Sequence, residues 1–381
     1  MSKSVTLLVT AAIVCAAALG APGAPDGKLA LRHHGTLMLI GGGLDDDNRP
    51  VYERFLTLAA AHGPPHIVIA TAASGDQDVE AIGKTEALRT WAPRVEVEVI
   101  RRETNTTATV AAIDRASAMF FTGGDQQRIT GRYRPNDKST PEWEAMRRLL
   151  ARGGVIAGTS AGDAMMGEIM FHGGGSATAL GATPGPAMTP PREDEDDEDP
   201  ALLGPQLGPG MRFLPGAISD SHFFERDRVG RLVAALESSG KRLGIGVGED
   251  AAVEVDLDSG ELRGVSVSES LIVDIKRLKR AGTERTGIIA RLITQGERLK
   301  LAEWPTHRAP VAAPSADPMH AIPIVEPGQN RQLAAWRLFR QARDPASPPI
   351  RQHLHGYILT VYPAGSGDVA LEISTADCPT C

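Results

Sequence analysis

The segment Gly153-Gly154-Val155-Ile156-Ala157-Gly158-Thr159-Ser160-Ala161-Gly162 is an apolar strand running into a GTSAG turn. A serine on a sharp strand-to-helix turn needs small neighbours on both sides, because the strained backbone draws them together. Gly158 and Gly162 supply them, so Ser160 is a candidate nucleophile. A helix is expected through Ala164 to Met170, and at its start the N–H of Ala161 can stabilise an oxyanion. The plain alternative is a tight turn without chemistry, so the serine needs a base and an orienting acid. Two later strand ends offer them: Ile218-Ser219-Asp220-Ser221-His222 places His222, and Gly244-Ile245-Gly246-Val247-Gly248-Glu249 places Glu249. A purely structural role is the competing reading of His222.

Directly after this histidine come Arg226, Arg228 and Arg231. Guanidinium groups grip carboxylates bidentately, which suggests an anionic substrate. A solvated helix face that pairs the arginines with Glu225 and Asp227 is the bland alternative. In Phe120-Phe121-Thr122-Gly123-Gly124-Asp125-Gln126, the Gly124 amide can complete an oxyanion hole and Gln126 can reach substrate. Gly41-Gly42-Gly43 lacks the full GxGxxG pattern and the later ribose acid of a dinucleotide site.

These residues need a scaffold that brings strand ends together. From Gly35 onward, short apolar runs alternate with amphipathic segments, the pattern of an α/β fold with a mostly parallel sheet and helices on both faces. Strands are expected at Thr36 to Ile40, His66 to Ala70, Val95 to Ile100, Ala118 to Thr122, Val155 to Gly158, Gly216 to Ile218 and Leu243 to Val247. Helices are expected at Val51 to Ala61, Val79 to Trp91 and Glu142 to Ala151, the last with Thr140 as N-cap and Pro141 as first helical residue. Antiparallel strands near Ala252 to Val255, Leu262 to Val265 and Leu271 to Ile275 should finish the sheet.

The chain has 381 residues and a formal net charge of -7, with 42% hydrophobic residues. That apolar fraction excludes a disordered chain, and the charge excludes a protein that coats nucleic acid. Residues 1–22 read as a signal peptide: Lys3 gives a positive start, Val5 to Leu19 an apolar core, and small residues follow at the cleavage point. Export to the periplasm or beyond is expected, with no membrane anchor. Cys378 and Cys381 are then the only cysteines kept, too few for a structural zinc site. Residues 29–303 form the expected catalytic domain, with an inserted acidic loop at 182–210 that carries the unbroken run Glu193 to Asp199. Proline stoppers flank that run, so it reads as a solvated loop. A Pro-rich linker and a small C-terminal extension occupy 304–381. Within it, Asn330 to Ala342 is a possible short helix, and Tyr357 to Tyr362 with Val369 to Ile373 suit a hairpin.

GTSAGD at Gly158 to Asp163, FFTGGDQQRI at Phe120 to Ile129, DSHFFERDRVGRL at Asp220 to Leu232 and GIGVGEDAAV at Gly244 to Val253 resemble the cyanophycinases. These are exo-acting serine peptidases related to aspartyl dipeptidases, on a sheet similar to that of class I glutamine amidotransferases. The resemblance covers roughly Gly35 to Glu303. It implies hydrolysis of cyanophycin, a poly-aspartate with arginine on its side chains, to β-aspartyl-arginine dipeptides. It further implies Ser160 as nucleophile, His222 as base, Glu249 as orienting acid, and substrate contacts from Gln126, Asp220, Arg226, Arg228 and Arg231. The order Ser, His, Glu argues against an ordinary α/β-hydrolase, whose acid precedes its histidine. Asp163 departs from the small residue usual after GTSAG and is expected to favour the helix N-terminus. The competing readings are a general aspartyl dipeptidase and a catalytically silent binding protein on the same fold. Neither cofactor nor metal is expected. The polymer is the expected partner, and a homodimer is left open.

Overall fold

A computed structural model describes residues 35–181, 206–304, 334–354 and 356–375. The expected signal peptide, the acidic run Glu193 to Asp199, the linker prolines from Pro305 to Pro323 and the terminal cysteines lie outside them.

The first part alternates strand and helix: β1 (Thr36–Ile40), α1 (Arg49–Ala59), β2 (His66–Ala70), α2 (Gln77–Trp91), β3 (Glu96–Ile100), α3 (Thr106–Arg115), β4 (Ala118–Phe121), α4 (Gln126–Tyr133), α5 (Pro141–Ala151) and β5 (Val155–Thr159). Each of the five helices starts at a side-chain cap, where Asn48, Asp76, Asn105, Asp125 or Thr140 accepts a first-turn amide. The five strands pair in parallel in the order β1-β5-β4-β2-β3. Side chains alternate across the sheet: Met38 and Ile40 meet α1 and α2 on one face, while Leu37 and Leu39 share a core with α3 and α5 on the other. All five carboxyl ends lie along one edge, where open α/β sheets keep their ligands.

Beyond Ser160 follow α6 (Ala161–Ala164), β6 (Ile169–Gly173), α7 (Ser176–Ala179), β7 (Gln206–Pro209), β8 (Ala217–Asp220), α8 (Val229–Ser239), β9 (Leu243–Val247), β10 (Ala252–Asp256), β11 (Glu261–Gly264), β12 (Ser270–Asp274), β13 (Lys279–Ala281), β14 (Glu284–Ile293) and β15 (Arg298–Lys300). The tail adds α9 (Ala334–Ala342), β16 (Ile350–Leu354), β17 (Tyr357–Gly365) and β18 (Asp368–Ser374). The helix expected through Met170 stops after one turn. The carbonyls of Met165, Met166 and Gly167 accept amides of Met211 to Leu214 instead of continuing an intrahelical ladder.

The single mostly parallel sheet is replaced by two principal sheets of mixed direction. The free edge of β1 is taken by β10 in antiparallel register, Thr36 opposite Asp256 and Ile40 opposite Ala252, and β11 and β15 extend that side. That side of β1 is therefore closed to β8 and β9. They pair with each other in parallel and close a second sheet of order β16-β17-β18-β14-β12-β9-β8, in which every other pairing is antiparallel. The strand expected near Leu271 to Ile275 therefore belongs to this sheet, not the first. The tail hairpin is built into it through β18, which pairs with β14. One face of this sheet shares the core of the first sheet through Ile245, Val247, Ile272 and Ile289. The other face packs on α8 and α9, with Leu232, Leu236, Leu338 and Phe339 buried there.

Candidate active site

Ser160 follows β5 with φ 54° and ψ -111°, a strained conformation for a residue with a side chain. Its neighbours must be glycine: a Cβ on Gly158 would lie 2.2 Å from the Gly162 carbonyl oxygen, and one on Gly162 would lie 2.6 Å from that of Phe121. The two sheets meet at this turn. His222, just past β8, places Nε2 2.8 Å from Ser160 Oγ. Glu249, just past β9, places Oε1 2.7 Å from His222 Nδ1. The carboxylate accepts the Nδ1 proton, which leaves the Nε2 lone pair facing the serine hydroxyl. Burial lowers the His222 pKa and outweighs the hydrogen bond to Glu249, which raises it, so the ring is neutral near pH 7.

Glycines that sequence reasoning set aside turn out to wall this relay. Gly41 accepts the His222 amide at 2.6 Å, and Gly42 accepts that of Asp250 at 2.9 Å. A Cβ on Gly42 would sit 2.3 Å from His222 Cε1 and Nε2, and one on Gly43 would meet the Glu249 side chain at 3.3 Å. Asn48 fixes the same junction by donating to Asp250 Oδ1 at 2.7 Å. The signal was the bare Gly41-Gly42-Gly43 at a strand end, which dinucleotide binding does not explain. Across the cleft Gly123 lies against the nucleophile, since its Cβ would be 3.4 Å from Ser160 Cβ, whereas Gly124 is pressed on the Ala73 carbonyl.

The relay opens into a cleft of about 1160 Å³. Ser160, His222, Gln126, Arg226, Arg228 and Arg231 all line it, as do Asp45, Asp76, Glu80 and Asp125. Gln126 is tied down by its amide, which donates to the Phe171 carbonyl at 2.7 Å. Arg226 is exposed. Arg228 and Arg231 are 6% and 3% exposed, so they do not form a solvated helix face. Both bind Asp220: Arg231 Nε reaches Oδ2 at 2.8 Å and Nη2 reaches Oδ1 at 2.5 Å, with Arg228 Nη1 on Oδ1 at 3.2 Å. Arg231 also stacks over Phe171 at 4.4 Å. Asp220 is fully buried beneath the arginines, so its carboxylate holds them and does not itself face the cleft.

Glu225 turns back to accept the Glu249 amide at 3.0 Å, and burial raises its pKa. Asp163 is corrected more sharply. It is fully buried, its Oδ1 2.5 Å from Ser219 Oγ, and desolvation holds its pKa well above the usual carboxylate range. Burial there works against the charge expected at the helix N-terminus.

Residues 37–262 match the family described as Peptidase family S51. A cyanophycinase from Trichormus variabilis is 32% identical over 279 residues, covering 71% of this chain and 84% of the relative. A cyanophycinase from Nostoc sp. is 30% identical over the same length and coverage. In fold, the chain is similar to the crystal structure of a peptidase from an acI-B1 Actinobacterium, with TM-score 0.50 and 17% identity over 70% of this chain and 97% of that one.

Proposed function

The chain belongs to peptidase family S51 and is a serine peptidase, and from that premise we propose that it is an exopeptidase acting on cyanophycin, releasing β-aspartyl-arginine dipeptides. The observation that carries this reading is the unbroken relay from Ser160 through His222 to Glu249, set in a cleft with both charge signs on its walls. Ser160 Oγ attacks an aspartyl main-chain carbonyl carbon while His222 Nε2 takes its proton. The amides of Ala161 and Gly124 stabilise the oxyanion, and His222 returns the proton to the leaving amine. Water, deprotonated by the same histidine, then frees the acyl group from Ser160. Arg226, Arg228 and Arg231 suit the carboxylates of the terminal unit. Asp45, Asp76, Glu80 and Asp125 suit the guanidinium of its branch. A nucleophile at the elbow between β5 and α6 supports the finer reading of the core as class I glutamine amidotransferase-like.

The test is incubation of purified protein with insoluble cyanophycin, reading soluble products by mass spectrometry. β-Aspartyl-arginine should accumulate with wild type and not with Ser160→Ala. Faster cleavage of short α-aspartyl peptides than of polymer would turn the assignment to a general aspartyl dipeptidase. Binding without turnover would leave a silent binding protein. Export is a second part of the proposal, supported by the apolar leader of the sequence. The mature protein should then begin near Ala21, and an exported or cytosolic product still starting at Met1 would contradict it.

A further inference from the structure

The loop that carries His222 ends on a residue held from the far end of the chain. Asp227 has φ 47°, a left-handed conformation that is costly for a non-glycine residue and persists only where its surroundings over-determine it. Its carboxylate Oδ1 accepts the Tyr357 hydroxyl at 2.7 Å, and its carbonyl accepts Ser176 Oγ at 2.5 Å. Ser176 Oγ in turn accepts the Arg231 amide at 3.1 Å. Tyr357 opens β17, is 1% exposed, and lies beyond residues 37–262, where the family match ends. Burial and the neighbouring carboxylate hold its hydroxyl protonated, as a donor.

We propose that Tyr357 is a positioning residue of the active site, the tail hairpin supplying through its hydroxyl the support that sets Arg226 and Arg228 for substrate. The two ends of the loop are held differently. At one end His222 is fixed by the Gly41 carbonyl and by Glu249, contacts that Tyr357 does not touch. At the other end the turn at Asp227 stands between the two arginines and depends on Tyr357 and Ser176. Losing the hydroxyl should therefore loosen substrate binding more than chemistry.

This inference rests on the peptidase reading for its kinetics but not for its geometry, so two measurements separate them. Tyr357→Phe keeps the buried ring and removes only the donor. Amide hydrogen exchange on the full chain should quicken at residues 226–228 and stay unchanged at residue 222. With a β-aspartyl-arginine oligomer, KM should rise about five- to tenfold, the worth of one hydrogen bond to a charged group, with kcat within about twofold. Asp227→Ala should give the same shift, and the double variant should be no worse than either single one. Tyr362→Phe, which loses a hydroxyl bonded to Glu372 in the same hairpin, is the control and should match wild type. Unchanged exchange at 226–228, or wild-type KM and kcat in a Tyr357→Phe protein that is merely less stable, would overturn the proposal. A wild type with no activity on the oligomer would refute the substrate, and exchange alone would still decide the role of Tyr357.

Discussion

Ser160, His222 and Glu249 are placed by backbone: two strained residues, walls of glycine, and amides that reach across from one sheet to the other. Arg228 and Arg231, a few residues further on, are placed by charge, both on the single buried carboxylate of Asp220. The first kind of support tolerates changes in charge and fails when volume is added. The second tolerates nothing that removes the countercharge, because a buried guanidinium left unpaired costs far more than the pair contributes.

The largest contrast is expected from Ser160→Ala, which removes the nucleophile and leaves both kinds of support intact. The turnover number should fall by about 10³- to 10⁶-fold, with the denaturation midpoint of wild type. A folded variant retaining wild-type turnover would break the assignment of the relay. Next comes Asp220→Asn, which removes the buried countercharge that Arg228 and Arg231 share. Stability should drop by about 3–5 kcal/mol in urea denaturation, and an unchanged midpoint would show that the arginines find other partners. Gly42→Ala pushes a methyl into the imidazole of His222 and should lower kcat by about 10²-fold through misplacement, while leaving product binding near normal. If product affinity falls as far as kcat does, the glycine wall serves the whole cleft and the contrast is blurred.

The smallest effect is one of pH. The active form of His222 is neutral, and burial favours that form, so its pKa lies below the ordinary value of about 6.5. As pH falls through this lowered pKa, kcat/KM should decline tenfold per unit, with the plateau reaching further into acid than an exposed histidine would allow. An acid limb centred above about 6.5 would mean that the Glu249 contact outweighs burial.

The individual strands and helices were legible because their signals are local. Ile67 to Ala70 and Leu243 to Val247 are short runs without charge whose ends are punctuated by turn residues, and Thr140-Pro141 marks a helix start that the Trp143 amide confirms. The sheet to which Leu243 to Val247 belongs was not legible. A strand's own pattern does not say that β10 will occupy the edge it might have used. Nor does Tyr357 announce a partner 130 positions away. The relay was readable because each member follows a strand and glycines surround it. The buried countercharge was not legible for a related reason: Asp220 lies eight and eleven positions before Arg228 and Arg231, and only the turn after β8 brings its carboxylate to both. Asp163 reads as a helix-end charge in the sequence, whereas its burial works against ionisation.

The pairing of β14 with β18 sets the order in which a nascent chain can complete itself. β14 is ten residues long, with Ile288, Ile289, Ala290, Leu292 and Ile293 buried in the finished protein. Its last neighbour arrives only with residues 368–374. At about 5–20 residues per second, the ribosome leaves that apolar edge without its partner for roughly 4–16 s, long enough for chaperones or other unfinished chains to find it. Tyr357 emerges in the same interval, so the edge is sealed and the cleft acquires its support in one late step of synthesis.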